Sequence, residues 1–325
     1  MPEQRPTSAR LSTATWLVAP LIVVACVGLL YTLTGNAGRP ALAQSTAEAA
    51  RKTDITSDCD KCHHDEVASF PLGLHGKSAK FLKDERASDC VACHRNAEKH
   101  SETSSRTRMG EDPGNPAKMD SGQANASCLQ CHSNDRHTFN WQGGKHDRND
   151  MSCMSCHNVH HSKSPERMLA GYTVEETCLR CHKDMRKAMF QRSTHLFRSE
   201  LRNMKVGCTS CHNPHGGEGG KMLVGYSVNT TCYECHAEKR GPYLWEHPPA
   251  RENCMTCHKP HGSNNTKLLT TRPQMLCQQC HIHMLPRHST TAGRALDIWS
   301  INRGCINCHS QVHGSNHPGG RTFTR

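Results

Sequence analysis

The pattern Cys-x-x-Cys-His occurs ten times in this chain of 325 residues, and it constrains the fold more than any other feature. The ten copies use all but one of the twenty-one cysteines. Two thiols separated by two residues can form thioethers with the two vinyl groups of one haem, and the histidine that follows then lies over the iron. The copies are Cys59/Cys62/His63, Cys90/Cys93/His94, Cys128/Cys131/His132, Cys153/Cys156/His157, Cys178/Cys181/His182, Cys208/Cys211/His212, Cys232/Cys235/His236, Cys254/Cys257/His258, Cys277/Cys280/His281 and Cys305/Cys308/His309.

Two other uses of paired cysteines compete with this interpretation. Zinc ribbons need paired Cys-x-x-Cys elements but no histidine after each one. Disulfides do not need the histidine either. The ten copies therefore predict ten covalently bound haems c, each with the histidine of its motif as the proximal iron ligand.

Fifteen histidines lie outside the motifs, and they follow the repeat. At least one histidine lies between the two motifs of each successive pair, and another follows the second motif of each pair. The ten candidate distal ligands are His75, His100, His146, His160, His195, His215, His247, His261, His288 and His313. The number of candidate distal histidines equals the number of irons, so we expect ten six-coordinate irons with two histidines each. We also expect the distal ligand of one haem to come from the segment that attaches another haem.

Some alternatives remain open at this point. His161 competes with His160, and His283 competes with His288. His64, His137 and His317 have no place in the spacing. The thirteen methionines recur at no fixed offset, so we interpret them as packing residues.

The chain is poor in apolar side chains, with 35% hydrophobic and 5% aromatic residues, so haem must fill much of its interior. We expect a multihaem cytochrome c fold: mostly irregular, with short α-helices, little or no β-sheet, and an elongated chain of ten haems. The best candidate for a longer helix is 183–204. Residues 101–127 are rich in helix breakers and are expected to form a loop or a partner contact, and the tail 314–325 is expected to be exposed.

The repeat also predicts the organisation of the chain, since related segments such as Met168-Leu169 and Met222-Leu223 follow successive motif pairs. Five two-haem modules are expected within a cytochrome domain at 44–325. Their approximate bounds are 59–100, 128–161, 178–215, 232–261 and 277–313.

The N-terminus predicts export. Arg5 and Arg10 precede an apolar run at 16–33, and Ala41-Leu42-Ala43 provides a cleavage site, so 1–43 is interpreted as a signal peptide. The alternative is an uncleaved membrane anchor, because the run could just span a bilayer.

The formal net charge of +11 does not predict nucleic-acid binding. The signal carries two of these charges, and each haem adds two propionates. Ten oxidised haems bring the mature protein to a net charge of about −1. The lysines and arginines are better explained as partners of the propionates.

The sequence resembles the periplasmic decahaem cytochromes of the MtrA/DmsE family over essentially the whole mature chain. The motif count carries this resemblance, together with ETCLRCH at 176–182, CHAEKRGPYLWEH at 235–247, LCQQCH at 276–281 and NCHSQVHGS at 307–315. The resemblance implies a haem wire inside a porin-like β-barrel of the outer membrane. Its implied partners are periplasmic electron carriers on one side and an extracellular cytochrome, or a metal or iron donor or acceptor, on the other.

Irons with both axial positions filled favour electron transfer over chemistry at the metal, so the chain is predicted not to be an enzyme. Two other classes compete with this prediction. A multihaem nitrite or hydroxylamine oxidoreductase would need an open axial site or a lysine ligand, and Cys-x-x-Cys-Lys does not occur in this sequence. A quinol-linked cytochrome anchored in the inner membrane would keep residues 1–43.

Overall fold

A computed structural model describes residues 58–78, 90–105, 110–164, 167–195, 206–282 and 304–324. The predicted signal peptide and His288 lie outside these ranges. No helix within them is both long enough and apolar enough to cross a membrane.

Short helices joined by irregular segments make up the described structure. The α-helices are α1 His64–Ser69, α2 Leu74–Ser78, α3 Cys90–Cys93, α4 Ala97–Thr103, α5 Ser121–His132, α6 Val174–Leu179, α7 Lys183–Met189, α8 Val228–Tyr233, α9 Pro248–Glu252 and α10 Pro273–His281. Single 3₁₀ turns lie at Phe70–Leu72, Asp147–Asn149, Cys153–Ser155, Cys208–Ser210, Gly220–Met222, Ala237–Lys239, Cys254–Thr256, Thr266–Leu268, Cys305–Asn307 and Gly320–Thr322. Pairing between extended segments in the described ranges is limited to isolated bridges. The predicted fold class, with short helices and no sheet, is confirmed.

The described chain has almost no apolar core of its own. Its buried hydrophobic residues are Ala97, Ala124, Trp141 and Leu169. Large apolar side chains are instead exposed on the polypeptide, including Phe190 at 81% and Tyr226 at 74%. Side chains that neither reach a protein core nor favour water are suited to packing against a large apolar cofactor.

From the third motif onward, two kinds of local structure alternate. The odd-numbered motifs begin in α5, α6, α8 and α10, and polar caps start three of these helices. The side chains of Asp120, Thr173 and Ser227 accept the backbone N–H three residues ahead, at 2.9, 3.0 and 3.1 Å. Pro273 occupies the first position of α10, where its missing N–H costs nothing. The even-numbered motifs form 3₁₀ turns instead.

After three of the even-numbered motifs, the chain turns back and pairs with the motif histidine. We call this turning segment the tight return, and it closes the motif by covering one side of it. Isolated bridges join His157 to Leu169, His212 to Leu223 and His258 to Leu269. Before each leucine lies a residue with positive φ: Met168 at 49°, Met222 at 57° and Leu268 at 57°. A left-handed conformation costs a non-glycine residue roughly 1 kcal/mol, so the surrounding contacts must hold these turns.

Three local expectations need correction. α7 ends at Met189 rather than near residue 204, because Ser193 leaves the helix and exchanges two backbone hydrogen bonds with Ser263, at 2.8 and 2.9 Å. The expected loop at 101–127 contains the end of α4 and the start of α5, which Asp120 caps.

The tail is not simply exposed. Ser315 is 3% exposed and exchanges two backbone hydrogen bonds of 2.9 Å with Trp245. Arg321 lies over the Trp245 ring, 5.8 Å from its centroid. These contacts fold the tail back onto the segment that leads to His247.

Candidate haem-binding sites

Nine of the ten motif histidines lie opposite a histidine from outside the motifs. The centroids of the paired rings are separated by 5.9–6.4 Å. The pairs are His63 with His100, His94 with His160, His132 with His75, His157 with His215, His182 with His146, His212 with His261, His236 with His195, His258 with His313 and His281 with His247.

This separation fits two imidazoles on opposite sides of one metal ion. A metal–nitrogen bond of about 2 Å and a nitrogen-to-centroid distance of roughly 1 Å on each side give roughly 6 Å between ring centres. Rings packed directly against each other can come closer than this. The donor set and its spacing therefore fit haem iron, and the thiols of each motif flank one ring of the pair.

The pairs interlace neighbouring modules. His146, His195 and His247 lie between the two motifs of a module, and each faces the first motif histidine of the next module. His75 of the first module likewise faces His132, the first motif histidine of the second module. The histidines that follow a second motif reach in the opposite direction, to the second motif histidine of the preceding module; they are His160, His215, His261 and His313.

The pairing between modules is replaced by pairing within one module at the N-terminal end. No module precedes the first motif, and His100 faces His63 within the first module instead. At the other end, the Nδ1–H of His309 donates to the carbonyl of Thr322. The remaining candidate distal ligand, His288, lies outside the described residues.

Backbone carbonyls orient many of these rings. The Nδ1–H groups of the motif histidines His157, His212 and His258 donate to Arg167, Lys221 and Lys267 at 2.9–3.0 Å. Those of the facing histidines His100, His146, His195 and His247 donate to Glu111, Pro214, Pro260 and Val312 at 2.6–3.0 Å. A proton held on Nδ1 leaves the Nε2 lone pair available to a metal.

Three of these carbonyl acceptors immediately precede another facing histidine. Pro214, Pro260 and Val312 come directly before His215, His261 and His313. Glycine follows each of these histidines, and all three glycines have positive φ: Gly216 119°, Gly262 159° and Gly314 138°. A Cβ on Gly262 would lie 2.0 Å from the carbonyl oxygen of Ala188, so a side chain cannot fit there.

Burial keeps several of these rings neutral. It lowers the pKa of His215 to about 4, and the facing ring of His157 acts in the same direction. Burial is also the largest cause of the lowered pKa of His75, His94, His261 and His313. A neutral imidazole is the form that can bind a metal.

The motif cysteines are all at least partly accessible on the polypeptide. No disulfide joins the described cysteines to one another. The first cysteine of every motif is partly buried. The second cysteine is exposed in seven of the ten motifs, at Cys62, Cys93, Cys131, Cys181, Cys235, Cys280 and Cys308. A haem attached to these thiols would lie against the outside of its own segment, and other segments of the chain would have to cover it.

Local backbone structure explains which second cysteines are exposed. The three that are partly buried, Cys156, Cys211 and Cys257, belong to the motifs that the tight returns close. Their carbonyls accept the backbone N–H of Ala170, Val224 and Thr270 at 2.8, 3.0 and 2.9 Å, so the returning chain covers them. Cys131 and Cys280 instead lie in the last turn of α5 and of α10, and Cys308 follows a 3₁₀ turn. Their exposure therefore reflects an open side of the motif.

Within each of the last four modules, the first cysteines of the two motifs are neighbours. The thiol of the second motif raises the pKa of the first cysteine of the first motif, and burial is the larger cause for Cys277. The pairs are Cys128 with Cys153, Cys178 with Cys208, Cys232 with Cys254 and Cys277 with Cys305.

Between modules, the second cysteines are electrostatic neighbours. Desolvation by the surrounding chain raises the pKa of Cys93, Cys156, Cys211 and Cys257. The charges of Cys181, Cys235 and Cys280 raise the last three further, and those of both Cys128 and Cys131 raise that of Cys93. From the second motif to the tenth, consecutive attachment sites are therefore spatial neighbours in the order of the sequence.

Within the described ranges, four buried polar atoms have no hydrogen-bond partner: Nδ1 of His75 and His160, and Nε1 of Trp141 and Trp245. The Trp141 ring lies 6.3 Å from that of His215. A buried N–H without a partner costs about 1–3 kcal/mol, so these groups call for acceptors that the described polypeptide does not supply. Haem propionates are acceptors of this kind.

The remaining described histidines have other contacts. His161 lies beside His160, whereas it is His160 that faces His94. His64 pairs with Asp60, and His317 accepts the N–H of Gly319. His137 lies within 3.3 Å of Arg136 Nε.

The sequence did not predict the backbone carbonyls that orient the histidine rings. It also did not predict whether each distal histidine reaches the next module or the preceding one. Proline or valine before a candidate histidine and glycine after it would have indicated three of the four histidines that reach backwards along the chain, the exception being His160.

The chain matches two families of known proteins. The first is described as a doubled CXXCH motif, at residues 202–241 and 247–284, and the second as cytochrome c-type protein NrfB-like, at residues 90–173. Among curated proteins, the multiheme cytochrome MtrA of Shewanella baltica is 40% identical over 82% of this chain and 80% of its own length. The cytochrome c-type protein NrfB of Escherichia coli is 25% identical over 49% of this chain and 83% of its own length.

The first of these relatives spans most of both chains. Multiple c-type haems attached through Cys-x-x-Cys-His motifs are therefore the cofactors of this protein. The chain belongs to the MtrA family of multihaem c-type cytochromes, whose members carry electrons rather than catalyse a reaction.

Proposed function

We propose that the chain binds ten haems c, each with two axial histidines, and conducts electrons along them in the order of the motifs. The nine ring pairs at 5.9–6.4 Å carry this proposal, because each combines a motif histidine with one of the candidate distal ligands. We assign the tenth pair to His309 and His288, the candidate that the ligand count leaves for the last iron.

When bound, the haems supply reversible one-electron chemistry at each position. The polypeptide holds them in order through the cysteine neighbours described above. Its facing histidines would hold each iron from both sides and so exclude substrates from the metal. Its backbone carbonyls hold the ring protons on Nδ1 and fix the ring orientations.

The five two-haem modules are proposed as repeats of sequence and not as independent folding units. In the interlaced arrangement, an inner module takes ligands from both neighbours and gives one ligand to each. An isolated inner module would therefore lack both of its distal ligands.

We further propose that the protein works in the periplasm, as the haem wire within a porin-like β-barrel of the outer membrane. It would connect periplasmic electron carriers with an extracellular cytochrome or with a metal or iron donor or acceptor. Family membership and the nine facing histidine pairs support this role.

Reconstitution tests the conduit. The mature protein is incorporated into liposomes together with the barrel protein that co-purifies with it, and a reduced dye inside is coupled to ferric chelate outside. We expect dye oxidation only when both proteins are present. A co-purified barrel that gives no electron transfer, or the absence of any co-purifying barrel, would contradict the conduit role while leaving the ten-haem assignment open to its own test.

A further inference from the structure

One position in the repeat differs in charge between modules. It lies three residues before the first cysteine of each odd-numbered motif, and in the last four modules it is occupied by Asn125, Glu175, Asn229 and Gln274. Three of these side chains are neutral amides, and one is a carboxylate.

The asparagines at this position join the two motifs of their module. Asn125 Oδ1 accepts the N–H of Cys153 at 2.8 Å, and its Nδ2 donates to the carbonyl of Met151 at 3.1 Å. Asn229 accepts the N–H of Cys254 at 2.8 Å and donates to the carbonyl of Arg251 at 2.7 Å. A carboxylate can only accept, so Glu175 cannot make the donating half of this link.

The Glu175 carboxylate lies beside the junction of two attachment sites. Its Oε1 is 2.8 Å from the point where a Cβ on Gly207 would lie, and Gly207 immediately precedes Cys208. Cys208 is in turn an electrostatic neighbour of Cys178. Among the described residues, none pairs as a cation with this carboxylate or donates a hydrogen bond to it.

The electrostatic influence of Glu175 reaches both sites. Each of the two thiols has the largest influence on the pKa of the other, which is raised for Cys178 and lowered to about 7 for Cys208. The charge of Glu175 raises the pKa of both. Asp147, by comparison, acts on Cys153 alone, and its carboxylate already accepts the N–H of Gly143.

We propose that Glu175 is a tuning residue that lowers the reduction potentials of the fifth and sixth haems. The inference rests on the ten-haem function proposed above. When a ferric centre takes one electron from a neighbouring centre, it loses one positive charge, and no bond forms or breaks. A carboxylate at the junction stabilises the more positive, oxidised form of both centres. The charge therefore creates a low-potential pair in the middle of the haem sequence.

The test uses the isosteric variant Glu175→Gln in the full mature protein. Glutamine removes the charge and is the residue at the same position of the last module. The matched control is Glu176→Gln, which makes the same charge change in the same helical turn. Glu176 Oε2 accepts the N–H of Tyr172 at 3.0 Å, a contact that the glutamine oxygen can keep. Haem content, circular dichroism and spectropotentiometric titration are measured for all three proteins.

We expect Glu175→Gln to keep the full haem content and to move about a fifth of the α-band amplitude, two haems of ten, to higher potential. Glu176→Gln should leave the curve close to that of the unmodified protein. A Glu175→Gln curve that overlays the unmodified one, or a shift equal to that of the control, would overturn the proposal. If the glutamine variant does not assemble, Glu175→Asn takes its place, and failure of both would make the residue structural instead. Fewer than ten haems in the unmodified protein would count against the proposed function rather than against the role of Glu175.

Discussion

The imidazole of His258 faces that of His313 across 6.2 Å, with the two ring planes only 11° apart. The rings of His132 and His75, at the other end of the described chain, are 6.1 Å apart but inclined by 67°. The centroid separation is thus constant, while the mutual orientation of the rings varies.

This contrast predicts two kinds of electron paramagnetic resonance signal. Nearly parallel axial imidazoles split the iron d orbitals into a rhombic pattern, whereas strongly inclined ones leave two orbitals close in energy and give a large-g signal. We expect both kinds in the oxidised protein. His75→Ala should remove large-g intensity and add a high-spin signal, and a variant that keeps its large-g intensity would contradict the assignment of His75 to the His132 haem.

Removing a single distal ligand should open one iron. His215→Ala takes away the ring that faces His157, so one haem in ten should become high-spin and bind cyanide or azide. His137→Ala is the control, because His137 contacts Arg136 and faces no motif histidine within the described chain. Ligand-binding difference spectra would show about one site per molecule in the first variant and none in the second. Equal binding in the two variants would argue against His215.

The glycine after a backward-reaching histidine should be as important as the ligand itself. In Gly262→Ala the new methyl group would collide with the carbonyl of Ala188, and φ at this position is 159°. We expect His261 to be displaced, with a high-spin haem at His212 and a lower unfolding temperature. Gly220→Ala provides the comparison, because a Cβ there meets no atom within 4 Å. If both variants were low-spin and equally stable, the close approach would not position the ligand.

Asn229 should stabilise the link between two motifs. Replacing it with alanine removes its donated bonds and leaves the partly buried N–H of Cys254 without an acceptor, for a loss of about 2–4 kcal/mol in the free energy of unfolding. Asn229→Asp keeps the acceptor but not the donor. Its loss of unfolding free energy should be smaller than that of the alanine variant, or should include the effect of the new negative charge. Denaturant unfolding followed by circular dichroism measures the difference. Asn149→Ala, at an exposed site, should change little, and an alanine variant of Asn229 as stable as that control would refute the link.

The sequence alone predicted covalently attached c-type haems, because covalent attachment needs a fixed local spacing. The fold class followed from the same motifs and from the scarcity of apolar residues. The direction of each distal ligand could not be predicted, because it depends on which segments cross in space. His100 and His160 occupy similar positions in their modules, yet one faces back within its own module and the other reaches the preceding one.

The local errors have a similar cause. The sequence 183–204 has the apolar spacing of a helix, but two hydrogen bonds between Ser193 and Ser263 turn the chain out of that helix so that His195 faces His236. The tail resembles an exposed terminus until its pairing with Trp245 is seen. Contacts between residues distant in the sequence determine the structure of both segments, and local helix propensity carries no information about such contacts.

The most direct test of the central claim is the mass of the intact mature protein combined with the spin state of its oxidised irons. We predict ten covalently bound haems, one for each Cys-x-x-Cys-His motif, and a purely low-spin spectrum in which no iron takes up small anions. A mass corresponding to fewer haems, or a high-spin signal in the unmodified protein, would contradict the account.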